Sequence, residues 1–209
     1  MKKIQKITPN DFEHEYWAKD MYVLGIDEAG RGPLAGPLSV AGVVFEQGYE
    51  NPEIYDSKAI SEKKRDELFE VIMEEALYWF IDIVPPEIID RYNIYRADQL
   101  SMTEIANTLP SDIVLTDAMP LSLDRPCISL VKGDQKSVSI AAASILAKVY
   151  RDRLMKEYDA LYPEYGFAKN KGYGTKQHMQ AIEQYGITPI HRKSFAPAAF
   201  SQQKLFRQS

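Results

Sequence analysis

The sequence has a single cysteine, Cys127, among 209 residues, so it contains no intrachain disulfide and no Cys-x-x-Cys metal site. It has no apolar run near the ~20 residues that span a bilayer. The N-terminal segment MKKIQKITPNDFEHEYW lacks the apolar stretch of a secretory signal. The 11 Gly and 12 Pro follow no period, which excludes collagen-like and low-complexity chains. A cytoplasmic protein with no membrane partner is predicted.

Basic residues are outnumbered by acidic ones, 25 against 30, and the formal net charge is −5. The charge is unevenly spread along the chain. Residues 148–209 hold eleven Lys or Arg and five Asp or Glu, a balance of +6, whereas residues 1–147 have a balance of −11. A basic C-terminal third is what a groove along a phosphate backbone would need. An ordinary solvated surface is the alternative interpretation.

Hydrophobic patterning predicts an α/β protein with a real core, since 45% of the residues are hydrophobic. Predicted strands are 22–27, 38–45, 77–84, 113–116 and 127–131, and predicted helical regions are 62–76, 87–108, 137–158 and 175–185. We expect a mixed five-stranded sheet flanked by helices, with a helical C-terminal part.

Four acidic residues follow predicted strands: Asp27 and Glu28 the first, Asp117 the fourth and Asp134 the fifth. Side chains just past strand ends meet at one edge of an α/β sheet. Clustered carboxylates repel one another unless cations compensate them, and Mg²⁺ or Mn²⁺ prefers such oxygen ligands. A pair of these ions ~4 Å apart supports phosphodiester hydrolysis. The alternative is that the four acids are caps or turn residues on separate loops.

The glycine-rich segment after the first strand, GIDEAGRGPLAGP, matches neither a dinucleotide fingerprint nor a Walker A loop. Its Gly30, Arg31 and Gly32 place a guanidinium between two residues without side chains. Such a loop can approach a sugar-phosphate chain closely and bind a 2′-hydroxyl through main-chain groups. A tight turn that exposes Arg31 is the alternative.

Six motifs occur in order along the chain: GIDEAGRGPLAGP, DSK at 56–58, the Asp117 and Asp134 pair, AASILAKVYRD at 142–152, YGFAKNKGYGT at 165–175 and HRKSF at 191–195. Together they resemble bacterial ribonuclease HII, of the type 2 ribonuclease H family. The resemblance implies a ribonuclease H-like fold. It also implies a lead-in over 1–21, a catalytic domain over 22–200 that includes the helical C-terminal region, and a flexible tail over 201–209.

The same resemblance implies an endoribonuclease that hydrolyses the RNA strand of RNA–DNA hybrids. It implies incision 5′ of single ribonucleotides in duplex DNA, as in primer removal and ribonucleotide excision repair, with 3′-hydroxyl and 5′-phosphate ends. Asp27, Glu28, Asp117 and Asp134 match the catalytic acids that bind two Mn²⁺ or Mg²⁺ ions. A monomer is expected.

Substrate-binding residues are also implied by the resemblance. Gly30, Arg31 and Gly32 match the loop that reads the 2′-hydroxyl at an RNA–DNA junction, and Tyr173 matches the tyrosine that packs on the sugar of the following deoxynucleotide. Lys58, in the DSK motif, is expected to bind substrate as well.

The chain departs from the family pattern at four positions. Ala59, Ala141, Gly174 and Ala196 stand where the family often has Lys, Ser, Pro and Gly. None is an expected metal ligand. The change beside Tyr173 is expected to bear on the preference for junctions over long hybrids.

Basic residues of the C-terminal third are candidate phosphate contacts. Lys148 and Arg151 lie one turn apart on a predicted helix, and Lys171 precedes Tyr173, where basic residues interleaved with an aromatic suit a backbone-tracking surface. Ordinary surface charges are an equal alternative for Lys148 and Arg151.

The tail SQQKLFRQS contains Gln202, Leu205 and Phe206, a spacing that resembles the short peptide with which bacterial repair proteins bind the sliding clamp. A disordered end that orders in a groove would use two apolar anchors in this way. The alternative is a terminus whose apolar side chains pack back on the protein.

The remaining candidates have simpler interpretations. His14, His178 and His191 have no metal-ligand spacing, so we expect no metal role for them. Cys127 lies in a predicted strand and is expected to be a small core residue.

Two rival functions remain at this point. One is another two-metal nuclease of the same fold that cuts DNA, which the Gly-Arg-Gly loop and the KGYGT motif disfavour. The other is an RNA–DNA binding module without catalysis, which the presence of all four acids disfavours.

Overall fold

The computed structural model describes residues 11–195. Its strands are β1 (Val23–Ala29), β2 (Leu38–Val44), β3 (Tyr78–Val84), β4 (Ile113–Asp117) and β5 (Cys127–Leu130). Its α-helices are α1 (Asp11–Trp17), α2 (Glu62–Glu75), α3 (Pro86–Tyr92), α4 (Ile94–Thr108), α5 (Val138–Leu161), α6 (Phe167–Asn170) and α7 (Lys176–Tyr185). Single 3₁₀ turns cover Gly133–Gln135 and Pro163–Tyr165. No helix within this part of the chain is long and apolar enough to cross a membrane.

The five strands form one sheet in the order β3-β2-β1-β4-β5. β1 pairs in parallel with β4, and β4 pairs in parallel with β5. Because parallel strands end at the same edge, the last residues of β1 and β4 lie at one end of the sheet. The predicted mixed five-stranded sheet flanked by helices is confirmed.

Close packing explains why β1 contains a glycine in its middle. An added Cβ on Gly25 would lie 2.2 Å from the main-chain carbonyl carbon of Ser139, so no side chain fits between β1 and the start of α5. Every residue of β2 is buried, which is why that strand reads as a continuous apolar run. The middle of β1 is thus packed closely against the start of α5.

Helix starts follow the capping chemistry of the sequence. The Ser61 side chain accepts a hydrogen bond from the Lys64 N–H and caps α2. Thr175 does the same for α7 through the His178 N–H. The predicted lead-in contains α1, which the pattern did not indicate.

The described residues divide into two compact units. The first unit comprises residues 11–29, 40–82 and 99–149. Its core surrounds the central strands and the first half of α5 with buried apolar side chains, among them Val23, Phe45, Ile72, Leu115 and Ile145. Cys127 is only half-buried, so it lies at the margin rather than in the centre of this core.

The second unit comprises residues 30–39, 83–98 and 150–195. Its core is built from Met155, Tyr165, Phe167 and Ile182 with their neighbours. This division into two units applies to residues 11–195 only. The catalytic domain of 22–200 therefore stays a prediction. Ala196 and the predicted tail of 201–209 lie outside the described residues.

Candidate active site

The four predicted acids all belong to the first unit. Asp27 lies near the end of β1 and is buried, and Glu28 follows it. Asp117 is the last residue of β4, and Asp134 is buried in the 3₁₀ turn that follows β5. The parallel pairing of β1 with β4 brings Asp27 and Asp117 to the same end of the sheet.

Asp117 is close enough to influence the acids on either side of it. Burial and the negative charge of Glu28 raise the pKa of Asp27 well above its usual range, and Asp117 adds to the rise. Burial, then the charge of Asp117, also raises the pKa of Asp134. These carboxylates therefore form one electrostatic cluster in which a bound cation would relieve the mutual repulsion.

Local geometry fixes the turns that carry the acids. The Gly133 N–H donates to Asp117 Oδ1 at 2.8 Å, which ties the end of β4 to the turn that holds Asp134. An added Cβ on Gly133 would lie 2.6 Å from Ile140 Cδ1, so only glycine fits without a shift. The chain reverses just after β4, where Ala118 has a φ of 50° and the Thr116 hydroxyl donates to the Met119 carbonyl.

Two buried serines connect the DSK motif to the cluster. Ser57 Oγ and Ser144 Oγ are 2.9 Å apart, and a hydrogen bond from Ser144 partly opposes the rise in the pKa of Asp27. Sequence reasoning assigned no role to either serine, although both stand inside motifs that carried the resemblance. Their contact depends on residues 87 positions apart, which spacing along the chain does not reveal.

Lys58 supplies a positive charge beside the acids. Its Nζ lies 3.8 Å from Asp134 Oδ2, and its side chain is largely exposed. Burial lowers the pKa of Lys58, but the charges of Asp134 and Asp27 outweigh it and raise the pKa overall. An exposed ammonium beside an acidic cluster can contact a phosphate of a bound nucleic acid.

The acidic cluster offers oxygen donors of the kind that a divalent metal binds. Among residues 11–195, no three His, Cys, Asp or Glu side chains already surround a common point as metal ligands. The chemistry of the cluster nevertheless fits, because carboxylate oxygens are the ligands of Mg²⁺ and Mn²⁺, and burial together with neighbouring negative charge raises the pKa values of Asp27 and Asp134. Binding of an ion would have to bring these carboxylates closer together.

The Gly-Arg-Gly loop lies in the second unit and is held by a buried arginine. Arg192 donates to the carbonyl oxygens of Gly30, Arg31 and Gly36 at 2.6, 2.9 and 3.0 Å. Gly30 has a φ of 103°, and an added Cβ would lie 2.1 Å from Arg151 Nε. The loop conformation therefore requires glycine at position 30.

The predicted phosphate contact of Arg151 is wrong. Arg151 is only 1% exposed, and its guanidinium donates to the carbonyls of Ala35, Pro37 and Lys171 at 3.2, 2.9 and 3.0 Å. Burial lowers its pKa to about 10, which leaves it charged at neutral pH. Its donors hold the loop and do not face a ligand. Lys148 is half-buried on the same helix.

The side chain of Arg31 has an acidic neighbour that sequence reasoning missed. Arg31 Nε lies 3.5 Å from Asp98 Oδ2, and Asp98 is fully buried in α4. An ion pair with a buried partner restricts the guanidinium more than a surface pair would. No sequence signal marked Asp98, because nearly seventy residues separate it from the loop.

Tyr173 lies beside the Gly-Arg-Gly loop within the second unit. Its side chain is 47% exposed, and an added Cβ on Gly32 would lie 3.4 Å from Tyr173 Cε1. The Leu34 N–H donates to the Gly172 carbonyl at 2.9 Å, so the two segments are joined through their main chains. The Lys171 side chain donates to the Ala168 carbonyl at 2.6 Å. The structure thus brings Gly32 and Tyr173 together.

Comparison with known proteins agrees with this arrangement. The chain matches the sequence model of the family Ribonuclease HII over residues 24–198. It is 56% identical over 192 residues to ribonuclease HII of Clostridioides difficile (strain 630), an alignment that covers 90% of this chain and 75% of that protein.

Solved structures show the same fold. The ribonuclease H2 from Pyrococcus horikoshii OT3 has a TM-score of 0.77 and 25% identity, over 90% of this chain and 100% of that one. The ribonuclease HII of Archaeoglobus fulgidus, solved in complex with PCNA, has a TM-score of 0.71 and 26% identity, over 83% of this chain and 94% of that one. From the matched sequence model, the curated relative and the shared fold, the chain belongs to the ribonuclease HII family and is an endonuclease of the ribonuclease H type.

Proposed function

We propose that this endonuclease hydrolyses the RNA strand of RNA–DNA hybrids and incises duplex DNA on the 5′ side of single ribonucleotides. The observation that carries the proposal is the electrostatic cluster in which Asp117 acts on both Asp27 and Asp134 at one end of the sheet. Such a cluster suits the cleavage of a phosphodiester, whose own negative charge must be compensated.

Asp27, Glu28, Asp117 and Asp134 would hold two divalent ions, Mg²⁺ or Mn²⁺. When bound, such ions supply an activated water and stabilise the charge on the leaving oxygen. The water oxygen would bond to phosphorus as the bond from phosphorus to the 3′ oxygen breaks. The attacking water would lose a proton to solvent and the 3′ oxygen would gain one from solvent, which leaves 3′-hydroxyl and 5′-phosphate ends. Ser144 orients the Asp27 carboxylate through its hydrogen bond.

Residues of the second unit would recognise the ribonucleotide. Main-chain groups of Gly30, Arg31 and Gly32 bind the 2′-hydroxyl, because a loop flanked by glycines can come close to the ribose. Tyr173 packs on the next sugar, where a hydrogen replaces the hydroxyl in DNA. The support is the proximity of Gly32 to the exposed Tyr173 ring.

Backbone contacts come from lysines of both units. Lys58, Lys148 and Lys171 would bind phosphates as point charges. Lys58 has the best support, since its largely exposed ammonium already lies beside Asp134. Such contacts strengthen binding without regard to sequence and weaken as salt is raised.

A partner beyond the nucleic acid is proposed for the tail. Gln202, Leu205 and Phe206, which lie outside the described residues, would bind the bacterial sliding clamp. The solved complex of the Archaeoglobus fulgidus relative with PCNA supports a clamp partner. We propose that the protein works as a cytoplasmic monomer in removing RNA primers and misincorporated ribonucleotides.

The test uses a labelled DNA duplex with one ribonucleotide, beside all-DNA and all-hybrid duplexes, in Mg²⁺, Mn²⁺ or EDTA. We expect a cut 5′ to the ribonucleotide that EDTA abolishes and that the all-DNA duplex lacks. Cleavage of the all-DNA duplex would instead indicate a DNA nuclease of the same fold. Binding of the hybrid without cleavage in either metal would indicate an RNA–DNA binding module without catalysis.

A further inference from the structure

Two histidines without an assigned role are in contact inside the second unit. His178 and His191 are both buried, and their Nε2 atoms are 3.0 Å apart. The sequence suggested no connection between them. Each imidazole also bonds through its other nitrogen: His191 Nδ1 with Thr188 and His178 Nδ1 with the Tyr173 carbonyl, both at 2.9 Å.

The backbone groups at the two ends of this hydrogen-bond chain, the Thr188 N–H and the Tyr173 carbonyl, determine where the imidazole protons are. A backbone N–H can only donate, so the Thr188 N–H requires a bare Nδ1 on neutral His191, whose proton is then on Nε2. That proton is donated to His178 Nε2. The proton of His178 is consequently on Nδ1, where it is donated to the Tyr173 carbonyl, which can only accept. Each ring then has one proton, and every hydrogen bond is donated in the direction from Thr188 towards Tyr173.

The surroundings keep both rings neutral. The rings of Tyr165 and Phe167 lie against both imidazoles, with centroids 5.2 to 6.2 Å apart. Burial lowers the pKa of His178, and burial together with the repulsion that a protonated His178 would exert lowers the pKa of His191 to about 4. Among the described residues, no carboxylate shifts either pKa, and the Tyr165 hydroxyl donates to the Gly186 carbonyl.

The chain of bonds ends on the main chain of Tyr173. That carbonyl also accepts from the Thr175 N–H at 2.8 Å, and the Tyr173 N–H donates to the Asn170 carbonyl at 2.9 Å. Both peptide groups of Tyr173 are thereby fixed while its ring stays exposed beside Gly32. A side chain with a fixed backbone loses less freedom when it packs on a ligand.

We propose that His178 and His191 are paired positioning residues that hold the Tyr173 main chain and so set the preference for an RNA–DNA junction. The inference rests on the proposed function, because it assumes that Tyr173 packs on the sugar after the ribonucleotide. Both histidines are buried, so they would act through Tyr173 and not by contacting substrate. Their effect should therefore disappear when the Tyr173 ring is removed.

The proton positions can be measured directly on the full-length protein at pH 7. Long-range ¹⁵N–¹H correlation of the imidazoles should show the Nδ1–H tautomer for His178 and the Nε2–H tautomer for His191. His14, which is exposed on α1, provides the internal reference for a solvated ring. The Nε2–H tautomer on His178, or a charged ring at either position, would overturn this chain of hydrogen bonds.

The functional test compares the rate of cleavage at one ribonucleotide in DNA with that of a uniform hybrid. The same acids cut both substrates, so the ratio of rates cancels any change in the metal site. We expect His178→Leu to lower the ratio about tenfold, as a misplaced contact residue does. His178→Asn should restore most of it, since the Asn amide nitrogen can replace Nδ1 as the donor to Tyr173.

A double-mutant cycle separates positioning from general damage. In a Tyr173→Ala background, His178→Leu should leave the ratio unchanged, whereas independent effects would add. Additive effects, or an Asn variant as defective as Leu, would overturn the inference. If the wild-type protein fails to cut at a ribonucleotide, the proposed function is overturned instead. His14→Ala is the control for replacing a histidine elsewhere in the protein.

Discussion

The pKa of Asp27 is raised well above its usual range, because the side chain is buried and lies close to the charges of Glu28 and Asp117. Glu28 and Asp117 both oppose the ionisation of Asp27, and Asp117 opposes that of Asp134 as well. Function rather than stability explains such a cluster, because a protein gains nothing from uncompensated like charges.

Neutralising one acid should therefore separate catalysis from stability. We expect Asp117→Asn and Asp134→Asn to abolish cleavage, while the free energy of unfolding in EDTA stays equal or rises because a repulsive charge is gone. Metal-dependent cleavage and urea unfolding measure the two effects. Activity retained by both variants would contradict the assignment of the metal site.

Ser144 offers a milder change at the same site. Ser144→Ala removes a hydrogen bond from the buried Asp27, which should lower the unfolding free energy by about 1–3 kcal/mol. Cleavage should also slow, because Asp27 loses its orienting contact. Ser57→Ala is the matched control: it breaks the bond between the two serines but leaves Ser144 on Asp27. Equal loss of activity in both variants would argue against this role of Ser144.

The loop of residues 30–37 acts as an element without regular hydrogen bonding of its own. Instead, the buried guanidiniums of Arg151 and Arg192 donate hydrogen bonds to six carbonyl oxygens, five from the loop and one from Lys171. Burial lowers the pKa of Arg192 to about 9, so both guanidiniums remain charged at neutral pH. Their charge beneath the loop favours a nearby phosphate.

Arg192→Lys should release the loop, because one ammonium cannot reproduce three planar donors. We expect a loss of about 1–3 kcal/mol in unfolding free energy for each buried carbonyl left unpaired. Cleavage at a single ribonucleotide should fall more than cleavage of a uniform hybrid. Lys193→Gln, an exposed neighbour, is the control for removing a basic residue from this segment. Unchanged stability and unchanged cleavage would show that the loop does not need Arg192.

The stability of the whole molecule should depend on pH through the histidine pair. Both rings are neutral in the folded protein, and their pKa values are lowered, that of His191 to about 4 from 6.5. The unfolded chain therefore binds more protons below pH 6.5, so this contribution to stability is lost as pH falls from about 6.5 towards 4.

Urea unfolding at pH 7 and pH 5 measures that dependence. Wild-type protein should lose more unfolding free energy over this interval than His191→Leu does. The comparison is needed because Asp27, Asp134 and Glu13, whose pKa values are raised, change stability in the opposite direction. Equal losses in the two proteins would show that the pair does not titrate as inferred.

Much of the fold was predictable because its signals are local. The five apolar runs and the helical regions 62–76 and 175–185 depend on neighbouring residues, and the structure reproduces them to within a few positions. Helix α1 was missed, since its interactions are distant. The buried Glu13 accepts hydrogen bonds from the Ser137 hydroxyl and the Ser139 N–H at the start of α5.

The sequence by itself determined the family, the strand-end position of the acids and the Gly-Arg-Gly loop, because each is a short motif whose chemistry can be read along the chain. Only the tertiary structure decided the contacts of Ser144, Arg151 and the histidine pair. Arg151 looks like a surface charge until burial and three carbonyls appear around it. Contacts between residues far apart in the chain leave no spacing to recognise, and they set which polar groups face a ligand and which support the fold.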